Sequence, residues 1–352
     1  MRVGYFGTWE RGYPRNEQVI AALRRADVDV AEIHEELWGD EHKFAIGPTA
    51  LPRMVAAGIR LARRRVPPDV VALIVGYPGH LDVWPAKRHR IPVVFNAMVS
   101  LFDTLVEDRN RFRPRSPVAR LLRSVDVVAL RAADAVVADT RANAEYLATL
   151  AGIDEPQVCY VGAEERLFQP LWRPPERFRA LFVGKLIPLH GLQVILEAAR
   201  ILPDVDFRVI GTGQEEAVLE GHPSNVEHVP WVPYERLPTE YAGAGCALGI
   251  FGSSEKARRV IPNKAFQALA VGTPLVTAAT DGVRELLEDG RDALLVEPSP
   301  EALAAAVRAL RDDVQLASAL GANGRRTFER EASEAVLGAR WRTIVETAAR
   351  RR

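Results

Sequence analysis

The sequence lacks most features of secreted, membrane-spanning and nucleic-acid-binding proteins. Only two cysteines occur in 352 residues, Cys159 and Cys246, and neither has a partner at the spacing of a zinc or redox motif. Lys plus Arg and Asp plus Glu balance at 46 each, so no net charge attracts a polyanion. No apolar run approaches the roughly 18 residues that span a membrane, and the N-terminus has no signal-peptide h-region. We therefore expect a cytoplasmic protein that binds no nucleic acid and keeps both cysteines in its core.

The chain is long enough for two domains of about 150 to 180 residues. Short runs rich in Val, Ile and Phe alternate with segments of helical period, which predicts parallel sheets covered by helices. The strands are predicted at 3–6, 28–33, 70–75, 93–95, 135–138 and 158–161, and again at 180–183, 207–210, 246–250, 274–277 and 293–296.

We predict an α/β protein with an N-terminal domain over residues 1–172 and a C-terminal domain over residues 173–332. A final helix over residues 333–352 is expected to pack back on the N-terminal domain. Ligands of open α/β sheets bind beyond the carboxyl ends of the strands, so the loops there and a cleft between the domains are the places to look for chemistry.

The richest loop follows the strand at 180–183. It contains Gly184, Lys185, His190 and Gly191, and a helix comes after it. Backbone N–H groups at the helix start, the positive end of its dipole and the lysine would together hold a diphosphate. The pattern also fits an ordinary strand-to-helix turn.

A second polar cluster follows the strand at 246–250. A helix begins there at Pro262 and ends at Gly272, as helix punctuation predicts. The cluster contains Glu255, Lys256, Arg258, Arg259, Asn263 and Lys264, which suit an anionic, hydroxyl-rich ligand. The alternative is a solvated helix face.

Between these clusters, Gly211, Thr212 and Gly213 follow one strand, and Trp231 to Tyr234, which include Val232, follow another. We expect these residues to contact the base and ribose of a nucleotide. The G-T-G-Q-E-E run has no third glycine, which disfavours a dinucleotide-binding dehydrogenase.

In the order of its motifs the chain resembles the family 4 glycosyltransferases of the GT-B fold along nearly its whole length. The matching motifs are Gly7-Thr8, Tyr13-Pro14-Arg15-Asn16, Ala133-Asp134, Asp139-Thr140, Val161 to Glu164 with Phe168 and Pro170, Gly184-Lys185 to His190-Gly191, and Pro262-Asn263-Lys264 to Gly272-Thr273-Pro274. The resemblance implies two Rossmann-like α/β domains that face each other across a cleft, with the nucleotide-sugar donor in the C-terminal one.

By resemblance, Lys185 takes the position of the basic residue that grips the donor diphosphate, and His190 stands where the family usually has lysine. The family's two glutamates, which contact the donor sugar and the ribose, fall on Arg259 and Gln267. Gln267 can still bond ribose hydroxyls, and Glu255 is a candidate substitute for the first glutamate. We therefore predict Lys185, His190 and Glu255 as catalytic residues. The donor-binding set is Gly184, Gly211, Thr212, Gly213, Trp231, Val232, Arg259, Asn263, Lys264 and Gln267.

The N-terminal domain is expected to hold the acceptor in the loops at 7–16, 76–82 and 96–109. The predicted acceptor-side residues are Gly7, Thr8, Arg15, Asn16, His80, Ser100 and Asp103. The family's histidine near the strand at 93–95 is missing, so His80, Ser100 and Asp103 are its substitutes, although His80 also fits an ordinary loop position.

The resemblance implies transfer with retention of the anomeric configuration, in which the donor diphosphate can accept the acceptor's proton. Two D-x-D sequences, at 27–29 and 204–206, precede strands and therefore lie at the wrong end of the sheet for a metal-diphosphate site. We expect no metal and no cofactor apart from the nucleotide-sugar substrate. The acceptor is a sugar, a lipid-linked glycan or a small molecule.

Arginines cluster with apolar residues at 52–65 and 108–124, which is typical of a surface that contacts anionic lipid or of a solvated helix face. The first pattern would place the protein peripherally on the inner face of the membrane. Three alternatives to a transferase stay open: a nucleotide-sugar epimerase, a non-catalytic nucleotide-binding relative, and a nicotinamide oxidoreductase.

Overall fold

The computed structural model describes residues 1–37 and 50–350 and contains two compact α/β units. The N-terminal unit comprises Met1–Val161 and Glu334–Arg352, and the C-terminal unit comprises Gly162–Ser333. The first boundary lies before the predicted one at residue 172, because the segment after Val161 packs with the C-terminal unit. There the Trp172 indole N–H donates to the Ala244 carbonyl at 2.7 Å, and the Leu171 N–H donates to the Val271 carbonyl at 3.2 Å.

The N-terminal unit is built on a parallel sheet in the order β2-β1-β3-β4-β5-β6. Its strands are β1 (Arg2–Gly7), β2 (Asp29–His34), β3 (Val70–Val75), β4 (Val93–Asn96), β5 (Ala135–Ala138) and β6 (Gln157–Val158). Its helices are α1 (Pro14–Arg25), α2 (Ala50–Arg63), α3 (Val83–Lys87), α4 (Pro117–Ala132), α5 (Arg141–Ala151) and the C-terminal α13 (Glu334–Arg350). Helices cover the sheet, which is why β3 is apolar almost throughout.

The C-terminal helix α13 returns to the N-terminal unit and packs on α1. The two backbones approach closely, since a Cβ at Gly338 would lie 3.0 Å from the carbonyl carbon of Ala22. Trp341 is buried in α13, and the Arg15 guanidinium lies 5.8 Å from its ring centroid. The final helix is therefore part of the N-terminal core.

The C-terminal unit has a second parallel sheet, in the order β12-β11-β10-β7-β8-β9. Its strands are β7 (Arg179–Val183), β8 (Asp206–Ile210), β9 (Val226–Val229), β10 (Cys246–Leu248), β11 (Leu275–Ala278) and β12 (Leu294–Val296). Its helices are α6 (Leu192–Ile201), α7 (Leu237–Ala242), α8 (Glu255–Arg259), α9 (Asn263–Val271), α10 (Asp281–Arg284), α11 (Pro300–Asp312) and α12 (Val314–Glu331).

The predicted α/β class with parallel sheets is confirmed. The strand expected before Trp231, whose bounds no apolar run marked, is β9, and its four residues read VEHV at the edge of the sheet. Within residues 1–37 and 50–350, no helix combines the length and apolarity needed to cross a membrane.

Candidate active site

The order of the C-terminal sheet reverses at β7, the first strand of that unit. β8 and β9 follow on one side of β7, and β10, β11 and β12 follow on the other. Open α/β sheets bind ligands at such a switch point, beyond the carboxyl ends of the strands. The loops at this point follow β7 and β10, and they carry the two polar clusters predicted from the sequence.

These two loops are in direct contact. The Phe251 N–H donates to the His190 carbonyl at 3.0 Å, and the Gly252 N–H donates to the Leu189 carbonyl at 3.2 Å. Gly191 has φ +65°, and a Cβ at this position would lie 2.6 Å from the Gly252 nitrogen. Glycine is required here both by the backbone conformation and by the approach of the neighbouring loop.

Two helices begin at this edge without a side-chain cap. Gly191 precedes α6 and Pro262 precedes α9, and neither donates or accepts through a side chain. By contrast, the hydroxyl of Ser254 caps α8 and that of Ser299 caps α11. The first-turn N–H groups of α6 and α9, at the positive ends of the two dipoles, suit an anionic ligand.

Three predicted donor-site residues converge here. A Cβ on Gly184 would lie 2.9 Å from Lys264 Nζ and 3.1 Å from His190 Cε1. Lys264 is 5% exposed, its Nζ lies 3.7 Å from the Phe182 ring centroid, and burial holds its pKa well below the usual value of 10.5. Lys185 is exposed on the same loop.

The imidazole of His190 is oriented by the backbone of its own loop. Its Nδ1 is in hydrogen-bond contact with the Lys185 carbonyl. Because a carbonyl can only accept, Nδ1 carries a proton, and in the neutral ring Nε2 is then an acceptor. His190 therefore needs a second proton before Nε2 can donate to a phosphate.

Gln267, which was predicted to bond the ribose, lies among aromatic residues. Its Oε1 accepts from the Tyr241 hydroxyl at 3.1 Å, and its Nε2 is 3.5 Å from the Tyr234 hydroxyl. Burial raises the pKa of Tyr234 to about 12, so this hydroxyl keeps its proton at neutral pH. Phe168 packs edge-on against both tyrosine rings.

Glu255 and Arg259 lie on α8, beside the β7 loop. Ala257 and Val260 form an apolar cluster with Leu189, which fixes α8 to that loop. The Glu255 side chain is 72% exposed and lies 3.8 Å from the Arg258 guanidinium. The structure therefore places the proposed glutamate on the surface of the loop cluster.

The loops after β8 and β9 complete this edge. A Cβ on Gly213 would lie 2.5 Å from the Leu186 carbonyl oxygen, and one on Gly211 would overlap the Gly184 backbone. Both glycines therefore permit close packing against the β7 loop. Thr212 is exposed, and so is Trp231, with 74% of its surface accessible. Val232 and Asn263 are half-buried.

The N-terminal sheet has its own switch point at β1, between β2 and β3. Asp82, after β3, accepts from the Thr8 N–H at 2.7 Å and from the Thr8 hydroxyl at 2.9 Å. Gly7 allows this contact, since a Cβ there would lie 2.6 Å from the Asp82 carboxylate. Burial raises the pKa of Asp82. The predicted loops at 7–16 and 76–82 therefore meet at one edge.

Arg15 and Asn16, predicted on the acceptor side, are fully buried. The Arg15 guanidinium donates to Asn96 Oδ1 at 3.0 Å and to the Tyr160 carbonyl at 2.8 Å. Asn16 accepts from the Tyr5 hydroxyl at 2.8 Å and donates to the Tyr77 carbonyl at 2.9 Å. The expectation that Arg15 and Asn16 contact the acceptor is therefore corrected. Their polar atoms bond backbone and side-chain groups of the N-terminal unit, so both residues hold its strands and loops together.

His80 and Ser100 are joined through a residue that the sequence did not single out. Asp126, in α4, accepts from the Ser100 hydroxyl at 2.7 Å and lies 3.3 Å from His80 Nε2, which is also 3.0 Å from the Val99 carbonyl. Asp103, buried as well, begins a π-helix over Asp103–Asp108, a rare element often found at functional sites. These contacts order the loop after β4.

The two D-x-D sequences lie at the amino ends of β2 and β8. Asp29 pairs with Arg2 at 2.9 Å, Asp206 pairs with Arg177 at 2.5 Å, and Asp204 pairs with Arg311. In the described part of the chain, no group of three or more His, Cys, Asp or Glu residues is arranged to hold a metal ion.

Two of the residues described above were not singled out from the sequence, namely Tyr241 in the C-terminal unit and Asp126 in the N-terminal unit. Asp126 interrupts an apolar helical pattern, which is a signal that was available in the sequence. Tyr241 gave no such signal, because nothing in the sequence connects it to Gln267.

The known proteins to which this chain is similar are glycosyltransferases. Residues 190–345 match the family model described as "Glycosyl transferase-like". A D-inositol 3-phosphate glycosyltransferase of Geodermatophilus obscurus is 31% identical over 69% of this chain and 62% of that protein. The first three curated relatives are covered over 61%, 64% and 62% of their own length.

Solved structures show the same fold. Sucrose-phosphate synthase from Thermosynechococcus elongatus superposes with a TM-score of 0.78 at 17% identity, covering 100% of both chains. Anabaena HepE in complex with UDP-glucose superposes with a TM-score of 0.70 at 16% identity, covering 99% of this chain and 100% of that one. The predicted resemblance is thus confirmed: the chain has the GT-B fold of glycosyltransferases, and its residues 190–345 match the glycosyl transferase-like family model.

Proposed function

We propose that this protein is a glycosyltransferase that moves a sugar from a nucleoside diphosphate sugar to a hydroxyl group of an acceptor. The observation that carries the proposal is the convergence at the β7 switch point of a glycine-lined loop, two uncapped helix N-termini and a buried lysine. These features supply what binds a diphosphate in proteins, namely N–H donors, aligned helix dipoles and a cation in a site partly shielded from water.

The relatives narrow the first choice of substrates. HepE was solved with UDP and glucose, and the first three curated relatives are named D-inositol 3-phosphate glycosyltransferase. UDP-glucose is therefore the first donor to test, and an inositol phosphate is the first small acceptor. Lipid-linked and free glycans complete the panel, since the acceptor class is open.

In the proposed reaction, the bond from the anomeric carbon to the donor phosphate breaks, and a bond to the acceptor oxygen forms on the same face of the sugar. The acceptor proton moves to the departing diphosphate. Lys185 and the α6 N-terminus stabilise the charge that develops on the leaving group. We further propose that Glu255 contacts the transferred sugar and that Gln267 bonds the ribose, with no metal required.

The test incubates the protein with UDP-, GDP-, ADP- and dTDP-sugars and the acceptor panel, and identifies products by mass spectrometry and NMR. We expect one glycoside whose anomeric configuration matches that of the donor. An inverted anomer would contradict retention but not transfer. A donor epimerised without acceptor would indicate the epimerase, and tight nucleotide binding without turnover would indicate the non-catalytic relative that Arg259 and Gln267 suggest.

We also propose peripheral contact with anionic membranes through α2, α3 and α4, which pack side by side. Exposed apolar side chains lie on all three helices, including Ile59, Trp84 at 59% exposure and Leu121 at 63%. Exposed arginines accompany them, among them Arg63, Arg120 and Arg123. Such a mixed surface suits lipid headgroups.

Sedimentation with phosphatidylglycerol vesicles at low salt tests the membrane proposal, with phosphatidylcholine vesicles as the control. Leu121→Gln combined with Arg120→Gln should release the protein from anionic vesicles. If wild type stays in the supernatant with both vesicle types, the proposal is wrong.

A further inference from the structure

Lys264 is a charged residue that is buried in the C-terminal unit. It lies in the first turn of α9 and is almost completely buried, and its Nζ has no hydrogen-bond partner among the described residues. A buried, unpaired cation is strongly destabilising, and apolar side chains of similar volume usually replace such groups at no cost. A lysine here therefore indicates a partner that the folded chain does not itself supply.

The direction of the side chain identifies the place of that partner. Nζ lies against the Phe182 ring at the end of β7 and directly beside Gly184, where a Cβ would be only 2.9 Å from it. The lysine thus reaches from α9 to the backbone of the β7 loop. This is the loop that, under the proposed function, holds the donor diphosphate.

His190 does not supply a permanent cation at this loop. Its protonated Nδ1 faces the Lys185 carbonyl, so the neutral ring offers an acceptor at Nε2. Lys185 itself is exposed, where water and salt screen its charge. The buried position of Lys264, under the same loop, is where a cation interacts most strongly with an anion.

We propose that Lys264 Nζ pairs with a phosphate oxygen of the donor diphosphate and takes over the role of the cation that His190 does not provide. The inference rests on the proposed function and adds that the cation comes from α9. Because burial lowers the pKa of Lys264 in the donor-free protein, the incoming negative charge raises it again, and donor binding takes up a proton.

The titratable groups around Lys264 come from several elements. His190 and Lys185 lie on the β7 loop, Tyr241 lies on α7, and Arg325 of α12 donates to the Ala270 carbonyl near the other end of α9. Burial raises the pKa of Tyr241, so its phenol stays neutral. The Lys264→Met variant therefore tests whether the proton taken up on binding belongs to Lys264.

The experiment titrates UDP, GDP and ADP into wild type, Lys264→Met and Lys185→Met by calorimetry in two buffers of different ionisation enthalpy, and measures each Tm. We expect Lys264→Met to bind the preferred nucleotide at least about tenfold more weakly, the loss of one charge-assisted hydrogen bond. It should also melt at the same or a higher temperature and lose the proton uptake of wild type. Lys185→Met should lose affinity but keep the uptake.

Each other outcome is decisive. Unchanged affinity in Lys264→Met, or a lower Tm with unchanged proton uptake, would show a structural lysine and leave the glycosyltransferase proposal standing. If wild type binds none of these three nucleotides and does not bind dTDP, both proposals fail. Should Lys264→Met not fold, Lys264→Gln keeps a donor without the charge and must show the same loss of proton uptake.

Discussion

Replacing Gly191 by alanine tests the geometry of the donor site against a matched control. Gly191 and Gly290 have nearly the same backbone conformation, with φ +65° and +70°. An alanine in this left-handed region costs roughly 1–2 kcal/mol at either position. A Cβ at Gly290 would meet nothing within 4 Å, whereas one at Gly191 would lie 2.6 Å from the Gly252 nitrogen.

The two variants should therefore differ in function more than in backbone strain. Gly290→Ala should lower Tm by about 2–4 °C for each kcal/mol of unfolding free energy that it removes from a unit of this size, and it should leave nucleotide affinity unchanged. Gly191→Ala must also push the β10 loop away by about 1 Å, a displacement that can cost on the order of a hundredfold in rate. We expect its transfer rate and nucleotide affinity to fall by tenfold or more.

Differential scanning calorimetry gives the Tm of both variants, and nucleotide titration and product formation give their function. Equal affinities and equal rates for Gly191→Ala and Gly290→Ala would refute the reasoning, because contact between the β7 and β10 loops would then be irrelevant to the donor.

Four further predictions address other parts of the structure. Arg15→Met should lower the free energy of unfolding, measured by urea denaturation, by about 3 kcal/mol or more, because buried acceptors lose a charged donor. The same substitution at the exposed Arg63 should change that free energy by less than about 0.5 kcal/mol. Gln267→Leu should lower the free energy of unfolding by about 1–3 kcal/mol because the Tyr241 hydroxyl loses its acceptor, and Gln267→Glu should restore most of that stability. Equal stabilities of the two variants would contradict this prediction. Transfer should continue in excess EDTA, and loss of turnover that a divalent ion restores would overturn the metal-free mechanism. Burial lowers the pKa of Lys264, so the folded protein releases this proton at a lower pH than the unfolded chain, which keeps it up to about pH 10.5. As pH rises between the folded and the unfolded pKa, the free energy of unfolding of wild type should therefore increase relative to that of Lys264→Met. A difference between the two proteins that does not change with pH would contradict this.

The fold was readable from the sequence because buried parallel strands are nearly continuous apolar runs. Val70–Val75 and Arg179–Val183 are of this kind, and they were predicted almost to the residue. The bounds of Val226–Val229 were not predicted, because an edge strand need not be apolar and its Glu227 and His228 interrupt the apolar pattern. The first boundary was misjudged because prolines mark a linker, whereas contacts such as that of Trp172 with Ala244 decide which core a segment joins.

The site was readable only in part. Glycines 184, 191, 211 and 213 follow strand ends, so their position beyond the sheet could be inferred from order alone. Arg15 and Asn16 were assigned to the acceptor because they follow a predicted strand and match a motif of the resembled family. Both are nevertheless buried by contacts with distant residues such as Tyr160 and Tyr77. The burial of Lys264 is equally a tertiary property, which no local pattern reveals.

The most direct test of the central claim is a thermal-shift titration of wild type and Lys185→Ala with UDP-, GDP-, ADP- and dTDP-sugars. A ligand that binds only the folded state must raise Tm by mass action. We predict that one class of nucleoside diphosphate sugar stabilises wild type and that Lys185→Ala, folded and equally stable without ligand, responds much less. No shift with any of the four, on folded wild-type protein, would contradict a donor site at the β7 loop.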